Sequence, residues 1–157
     1  SLKWLADDGQ SSLLLATILG SGRFNQAEAF NNPQIFDLVY KRQLSENLNY
    51  SLDVLYGYQT DVPALGTAQW YAFVSYLSYR CTEKLLATTR LEFFDDVDGN
   101  RTGFEGLYTA VTTGLSYQPT RSLVLRPEIR YDNNDQSRPF ADQSGLFTAA
   151  FDFIVRW

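Results

Sequence analysis

The chain has 157 residues, a net charge of −5, 45% hydrophobic and 15% aromatic residues, one cysteine, and neither histidine nor methionine. That length suits one domain; the absence of a basic stripe speaks against a nucleic-acid partner, and no apolar run reaches the ~18–20 residues of a membrane helix. Cys81 has no second cysteine with which to form an internal disulfide, and without histidine the usual base of acyl-transfer and proteolytic sites is missing, so neither an enzyme nor a cofactor or metal requirement is expected.

A membrane β-barrel survives these exclusions, because alternating strands keep mean hydropathy low. Read with a period of two, the chain divides into about nine extended segments. In order they cover 2–6, 12–24, 34–44, 47–59, 68–81, 85–95, 106–117, 122–132 and 146–157. Most exceed the ~5–6 residues of an ordinary soluble strand and match the ~9–11 of a tilted membrane strand. The connections DDGQS (7–11), SEN (45–47), TEK (82–84) and QPTRS (118–122) are short. NQAEAFNNP (25–33), TDVPALGT (60–67), DVDGNRTGFE (96–105) and NNDQSRPFADQSG (133–145) are long and alternate with them. Short turns on one rim and long loops on the other are the asymmetry of outer-membrane barrels. If Trp157 lies at the periplasmic rim, every short connection falls on that side.

The faces agree. In 122–132, Leu123, Leu125, Pro127, Ile129 and Tyr131 share one face, and Val124, Arg126, Glu128, Arg130 and Asp132 share the other. Four consecutive charges on one face cannot meet lipid, where each costs ~2–4 kcal/mol at mid-depth. Segment 85–95 repeats the pattern, with Thr88, Arg90 and Glu92 inward and Leu85, Ala87, Leu91 and Phe93 outward. In 47–59, Leu48, Tyr50, Leu52, Val54, Tyr56 and Tyr58 alternate with Asn49, Ser51, Asp53, Leu55, Gly57 and Gln59. Segments 12–24 and 68–81 leave their faces open. Trp4, Tyr56, Tyr58, Trp70, Tyr71, Tyr79, Tyr117, Tyr131 and Trp157 collect near segment ends, as girdles at two membrane interfaces require. The final stretch, LFTAAFDFIVRW, places Phe147, Phe151, Phe153, Val155 and Trp157 on one face, which is expected to touch lipid.

The first segment, SLKWLA, is too short to span. Together with an odd segment number, where single-chain bacterial barrels have even counts, this suggests one outer-membrane barrel domain over 1–157 that lacks N-terminal strands of a larger barrel. The competing reading makes residues 1–6 a lead-in to eight strands that close alone.

DDVDGN places Asp95, Asp96, Asp98 and Asn100 on an expected exposed loop, with oxygen ligands of the kind calcium takes. The full calcium-loop arrangement is absent; a solvated turn, or pairing of Arg101 with one of the aspartates, is the plainer expectation.

RLEFFDDVDGNRTG (90–103), LVLRPEIRYDNN (123–134) and the terminal FDFIVRW, with LSYQPTRSL (115–123) and VLYGYQ (54–59), resemble the C-terminal part of the β-barrel porin-2 (OmpL-like) family of bacterial outer-membrane proteins. The resemblance implies an all-β, antiparallel transmembrane barrel with pore function. It also implies that the last strand, through Phe151, Phe153, Val155 and Trp157, is read by the barrel assembly machinery. The chain is shorter than typical members and ends in Trp157 where a terminal Phe is more usual.

The expected function is therefore passive diffusion of small hydrophilic solutes or ions across a Gram-negative outer membrane, with outer-membrane lipid and a homo-oligomer or larger envelope complex as partners. Arg90, Glu92, Arg126, Glu128, Arg130, Asp132, Asp152 and Arg156 are the candidates to line the lumen, as a structural ion-pair ladder, a selectivity element, or both. One alternative is a structural or interaction barrel with a filled interior and partner-binding loops. Another is a soluble lipocalin-like barrel with the apolar face inside.

Overall fold

The computed structural model describes residues 1–19 and 33–157. It is one antiparallel sheet of nine strands in sequence order. They are β1 (Leu2–Leu5), β2 (Ser11–Ile18), β3 (Gln34–Gln43), β4 (Leu48–Val62), β5 (Gly66–Thr82), β6 (Leu85–Asp96), β7 (Gly106–Thr120), β8 (Leu123–Asn134) and β9 (Gly145–Val155). Every strand pairs with its chain neighbour, so the fold is an up-and-down wall. The sheet is not closed: β1 and β9 are its two edges. The expected residues 20–24 of the second segment, and all of the 25–33 connection except Pro33, lie outside the described residues.

Several strands are longer than the alternation predicts. β4 runs on to Val62 and β5 begins at Gly66, so the connection expected over 60–67 shrinks to a tight turn of Pro63, Ala64 and Leu65. Asp61, Ala64 and Gly66 take positive φ there, at 55°, 68° and 78°, and the register slips between Gln59 and Val62. A bulge lets a strand persist through a bend while shifting its pairing. Bulges also sit near the opposite rim, between Arg80 and Thr82 and between Tyr117 and Thr120.

Register carries one facing assignment across the whole sheet, because partners directly opposite point the same way. Asp53 faces Val74, Val74 faces Glu92, Glu92 faces Ala110, and Ala110 faces Asp132. This chain of partners settles the faces that periodicity left open. Leu13 and Leu15 of β2 lie on the apolar face, as do Tyr71, Phe73, Leu77 and Tyr79 of β5; Ala72, Val74, Tyr76 and Ser78 lie on the polar one.

The burial pattern is inverted relative to a soluble domain. Among the described residues the buried hydrophobic side chains are Val62, Ala68, Trp70, Ala110 and Val124. The large ones are displayed instead: Phe73, Leu91, Val111, Ile129, Phe147, Phe151 and Phe153 are all exposed on the apolar face. A soluble protein does not present a continuous apolar surface of that extent. A pocket of about 820 Å³ lies largely against the polar face, lined among others by Ser12, Lys41, Asn49, Ser51, Asp53 and Ser78. A lipocalin-like arrangement would instead turn the apolar face inward.

Two aromatic belts cross the apolar face. At the long-loop rim Phe36 stacks near Tyr56, with centroids 6.3 Å apart, and Tyr56 near Tyr71 at 5.2 Å; Tyr131 sits opposite Phe147. Tyr40, Tyr79 and Tyr117 mark the short-turn rim. Trp70 corrects the expected girdle: it lies on the polar face and is only 3% exposed. Trp157 lies beyond the end of β9.

Candidate functional site: the polar face

The charged residues expected to line a lumen do share one face. Glu92, Ala110 and Asp132 form one row across β6, β7 and β8, and Arg90, Thr112 and Arg130 form the next. Because β7 offers only small side chains at these levels, the long ones from β6 and β8 meet above it. Arg130 donates two parallel bonds to Glu92, Nη1 to Oε1 at 2.8 Å and Nη2 to Oε2 at 2.9 Å. Its Nε donates to Asp132 Oδ2 at 2.8 Å, and its Nη2 to Asp132 Oδ1 at 2.7 Å. Arg90 also pairs with Glu92, donates to Thr112 Oγ1 at 3.4 Å, and lies 5.9 Å from the centre of the Tyr76 ring. Two guanidiniums and two carboxylates thus neutralise each other in a half-buried cluster. Bidentate pairing of this kind fixes both side chains as well as attracting them.

Arg126 and Asp152 make a separate pair across β8 and β9, Nε to Oδ1 at 2.7 Å and Nη2 to Oδ2 at 2.6 Å. Here both side chains are about half exposed, 50% and 54%. Glu128 and Arg156, both exposed, join none of the ion pairs found among the described residues. The eight candidates therefore fall into a four-membered cluster, one open pair, and two side chains outside both.

Sequence reasoning missed part of this face. Asp37 and Lys41 of β3 belong to it, since Asp37 is opposite Leu55 and Lys41 opposite Ser51; the alternation Asp37, Val39, Lys41 carried that signal. It also missed how the long loops close down. The Trp70 ring lies directly over Gly57, its partner in β4: a Cβ there would fall 2.1 Å from Trp70 Cε2. The Arg101 guanidinium covers the same ring from the loop side, 4.7 Å from its centre.

The acidic stretch 95–100 is built differently from the exposed loop expected. Asp95 and Asp96 end β6 on opposite faces, and Asp96 is completely buried. Its Oδ2 accepts from the backbone amides of Arg101 and Thr102, at 3.0 and 2.8 Å, and from Thr102 Oγ1 at 2.8 Å. Asp98 accepts from the Gln69 amide at 3.1 Å, and Asn100 donates to Gln59 at 3.5 Å. The oxygens are thus spent on backbone and side-chain donors in different directions. Arg101 reaches Asp96 through its backbone, its guanidinium being placed on Trp70. Among the described residues no group of three or more Cys, Asp or Glu converges to hold a metal ion.

Asn134 does for the last loop what Asp96 does for the one before. It is buried, its Oδ1 accepts from the amides of Gln136 and Ser137 at 2.9 and 2.6 Å, and its Nδ2 donates to Glu105 O at 3.3 Å. The two loops are tied together over the polar face.

An antiparallel strand-after-strand wall with a charged face, an exposed apolar face and aromatic belts is the wall of a membrane β-barrel of porin type. The family model described as putative beta-barrel porin-2, OmpL-like, matches residues 1–156, and the chain belongs to that family. Membership places it among outer-membrane porin-like proteins. Searches of curated proteins and of solved structures returned no significant match.

Proposed function

We propose that this chain forms the wall of an outer-membrane channel through which small hydrophilic solutes or ions diffuse passively. The observation that carries this reading is the segregation of charge. Arg90, Glu92, Arg126, Glu128, Arg130, Asp132 and Asp152 all sit on one face, and the opposite face presents Leu, Val, Ile, Phe and Tyr. Charge on a barrel wall is tolerated where it meets water and biases which ions pass. In this reading the short turns and Trp157 stand at the periplasmic rim and the long loops outside. Phe151, Phe153 and Val155, on the apolar face of the last strand, together with Trp157, serve as the signal for assembly.

Within the cluster, mutual neutralisation limits the contribution of Arg90, Glu92, Arg130 and Asp132 to the field, so their first role is to stiffen the wall. Arg126, Glu128 and Asp152 are exposed and carry more of any selectivity. The test is ion selectivity of the full protein in a planar bilayer under a salt gradient. Charge reversal at Arg126 and Arg130 should move the reversal potential toward cation preference; an unchanged potential would remove the selectivity role. A filled structural barrel is the second reading, favoured by the inward placement of Arg101 on Trp70. It predicts no conductance above the bare membrane.

A further inference from the structure

Just below the tied loops, the polar face holds a pocket of about 270 Å³ that the charge ladder alone does not explain. One side is aromatic: Phe94, Tyr108 and Phe140. The other is the row of Glu92, Arg130 and Asp132. The space exists because Ala110, standing between Glu92 and Asp132 in register, carries only a methyl group toward it.

The rings are held in place rather than collapsed on each other. Phe94 and Tyr108 are tilted by 50° with centroids 6.1 Å apart, and Phe140 meets Tyr108 edge-on at 6.4 Å and 90°. Tyr108 is pinned by its hydroxyl, which donates to Thr102 Oγ1 at 2.9 Å. Phe140 is presented by a two-residue turn. Phe140 and Gln143 exchange backbone bonds, at 3.2 and 2.9 Å, around Ala141 and Asp142. Both of those residues have positive φ, 48° and 66°. Glycine, asparagine and aspartate suit that conformation; alanine adopts it at a cost, and such strain collects at functional sites.

We propose that this pocket is a binding subsite for one neutral pyranose unit of a saccharide in transit. A sugar ring has a face of C–H groups, which the negative face of an aromatic ring attracts, and an edge of hydroxyls. The carboxylates of Glu92 and Asp132 accept from hydroxyls with the lone pairs that Arg130 leaves free, and the guanidinium orients both. A purely apolar ligand would strip water from that row without replacing its hydrogen bonds. A cation or an anion would meet a cluster whose charges already cancel. A cavity of about 150 Å³ accepts benzene, so this one has room for a ring with its hydroxyls. The pocket relies on the channel reading for access from the membrane surface, but binding itself can be read without conductance.

The experiment uses the full protein in detergent, with methyl β-glucoside as the probe and saturation-transfer NMR as the readout. Transfer to the ring C–H protons is expected, with apparent affinity at least tenfold weaker in Phe140→Ser, which changes only the loop side, and in Ala110→Leu, which fills the floor. Absence of transfer, the same transfer in both variants, or displacement of the sugar by choline would overturn the assignment. Planar-bilayer currents of the unmodified protein separate the two readings. A conducting protein that binds no sugar leaves the channel and removes the subsite; one that binds sugar without conducting does the reverse.

Discussion

Ala149 and Ala150 are neighbours of identical type in the middle of β9, on opposite faces of the wall. Ala149 stands opposite Ile129, and Ala150 opposite Glu128. On its own face Ala149 is flanked by Phe147 and Phe151, each 64% exposed. Four residues separate it from the start of the strand, about 14 Å at ~3.4 Å per residue. With a tilt of roughly 45° this is about 10 Å of depth, near the centre of the apolar band. Arginine at 149 should therefore cost ~2–4 kcal/mol, or roughly 30- to 1000-fold in the folding equilibrium. Arginine at 150 meets water and the Glu128 carboxylate, where an exposed pair contributes about 0–1 kcal/mol. The assay is urea unfolding of the full protein refolded into phospholipid vesicles, followed by tryptophan emission and by the gel mobility of the folded form. Ala150→Arg should unfold at or slightly above the unmodified midpoint and Ala149→Arg well below it. Equal costs at the two positions, or the reverse order, would refute the facing assignment on which the lumen rests.

Gly57→Ala should destabilise by ~1–3 kcal/mol through forced displacement of Trp70, and in a Trp70→Ala background the same change should cost little; urea midpoints of the four proteins check this. Asp96→Ala removes the acceptor of three donors at the base of the 97–105 loop. It should cost ~1–3 kcal/mol and leave the amides of Arg101 and Thr102 without their carboxylate partner, which protease cleavage within that loop will report. Arg130→Gln leaves Glu92 and Asp132 without their shared partner. It should destabilise the wall more than Asp152→Asn, whose exposed pair contributes at most ~1 kcal/mol; vesicle unfolding of both variants gives the comparison.

The alternation of residue types by itself determined the strands and the facing of the charged rows, since a period of two dictates which side chains share a face; it did not determine the connection expected as long over 60–67, where β4 and β5 run on to a three-residue turn. Arg126 to Asp132 were legible as lumen-facing for that reason alone. The family was legible too, from the segments 90–103 and 123–134 and the last strand. Other features depended on residues far apart in the chain. The facing of β5 came from its register with β4 and β6. Trp70 looked like a girdle residue because tryptophan near a strand end is ambiguous until its partner is known; Gly57 opposite and Arg101 above place it on the polar face. Asp96 looked like a surface aspartate until three donors converged on it. Only the tertiary structure decided that Arg130 reaches across β7 to Glu92, because that bridge needs the small side chain of Ala110 between them. Local periodicity assigns a residue to a face; the contacts made on that face are set by strands that the sequence places dozens of residues away.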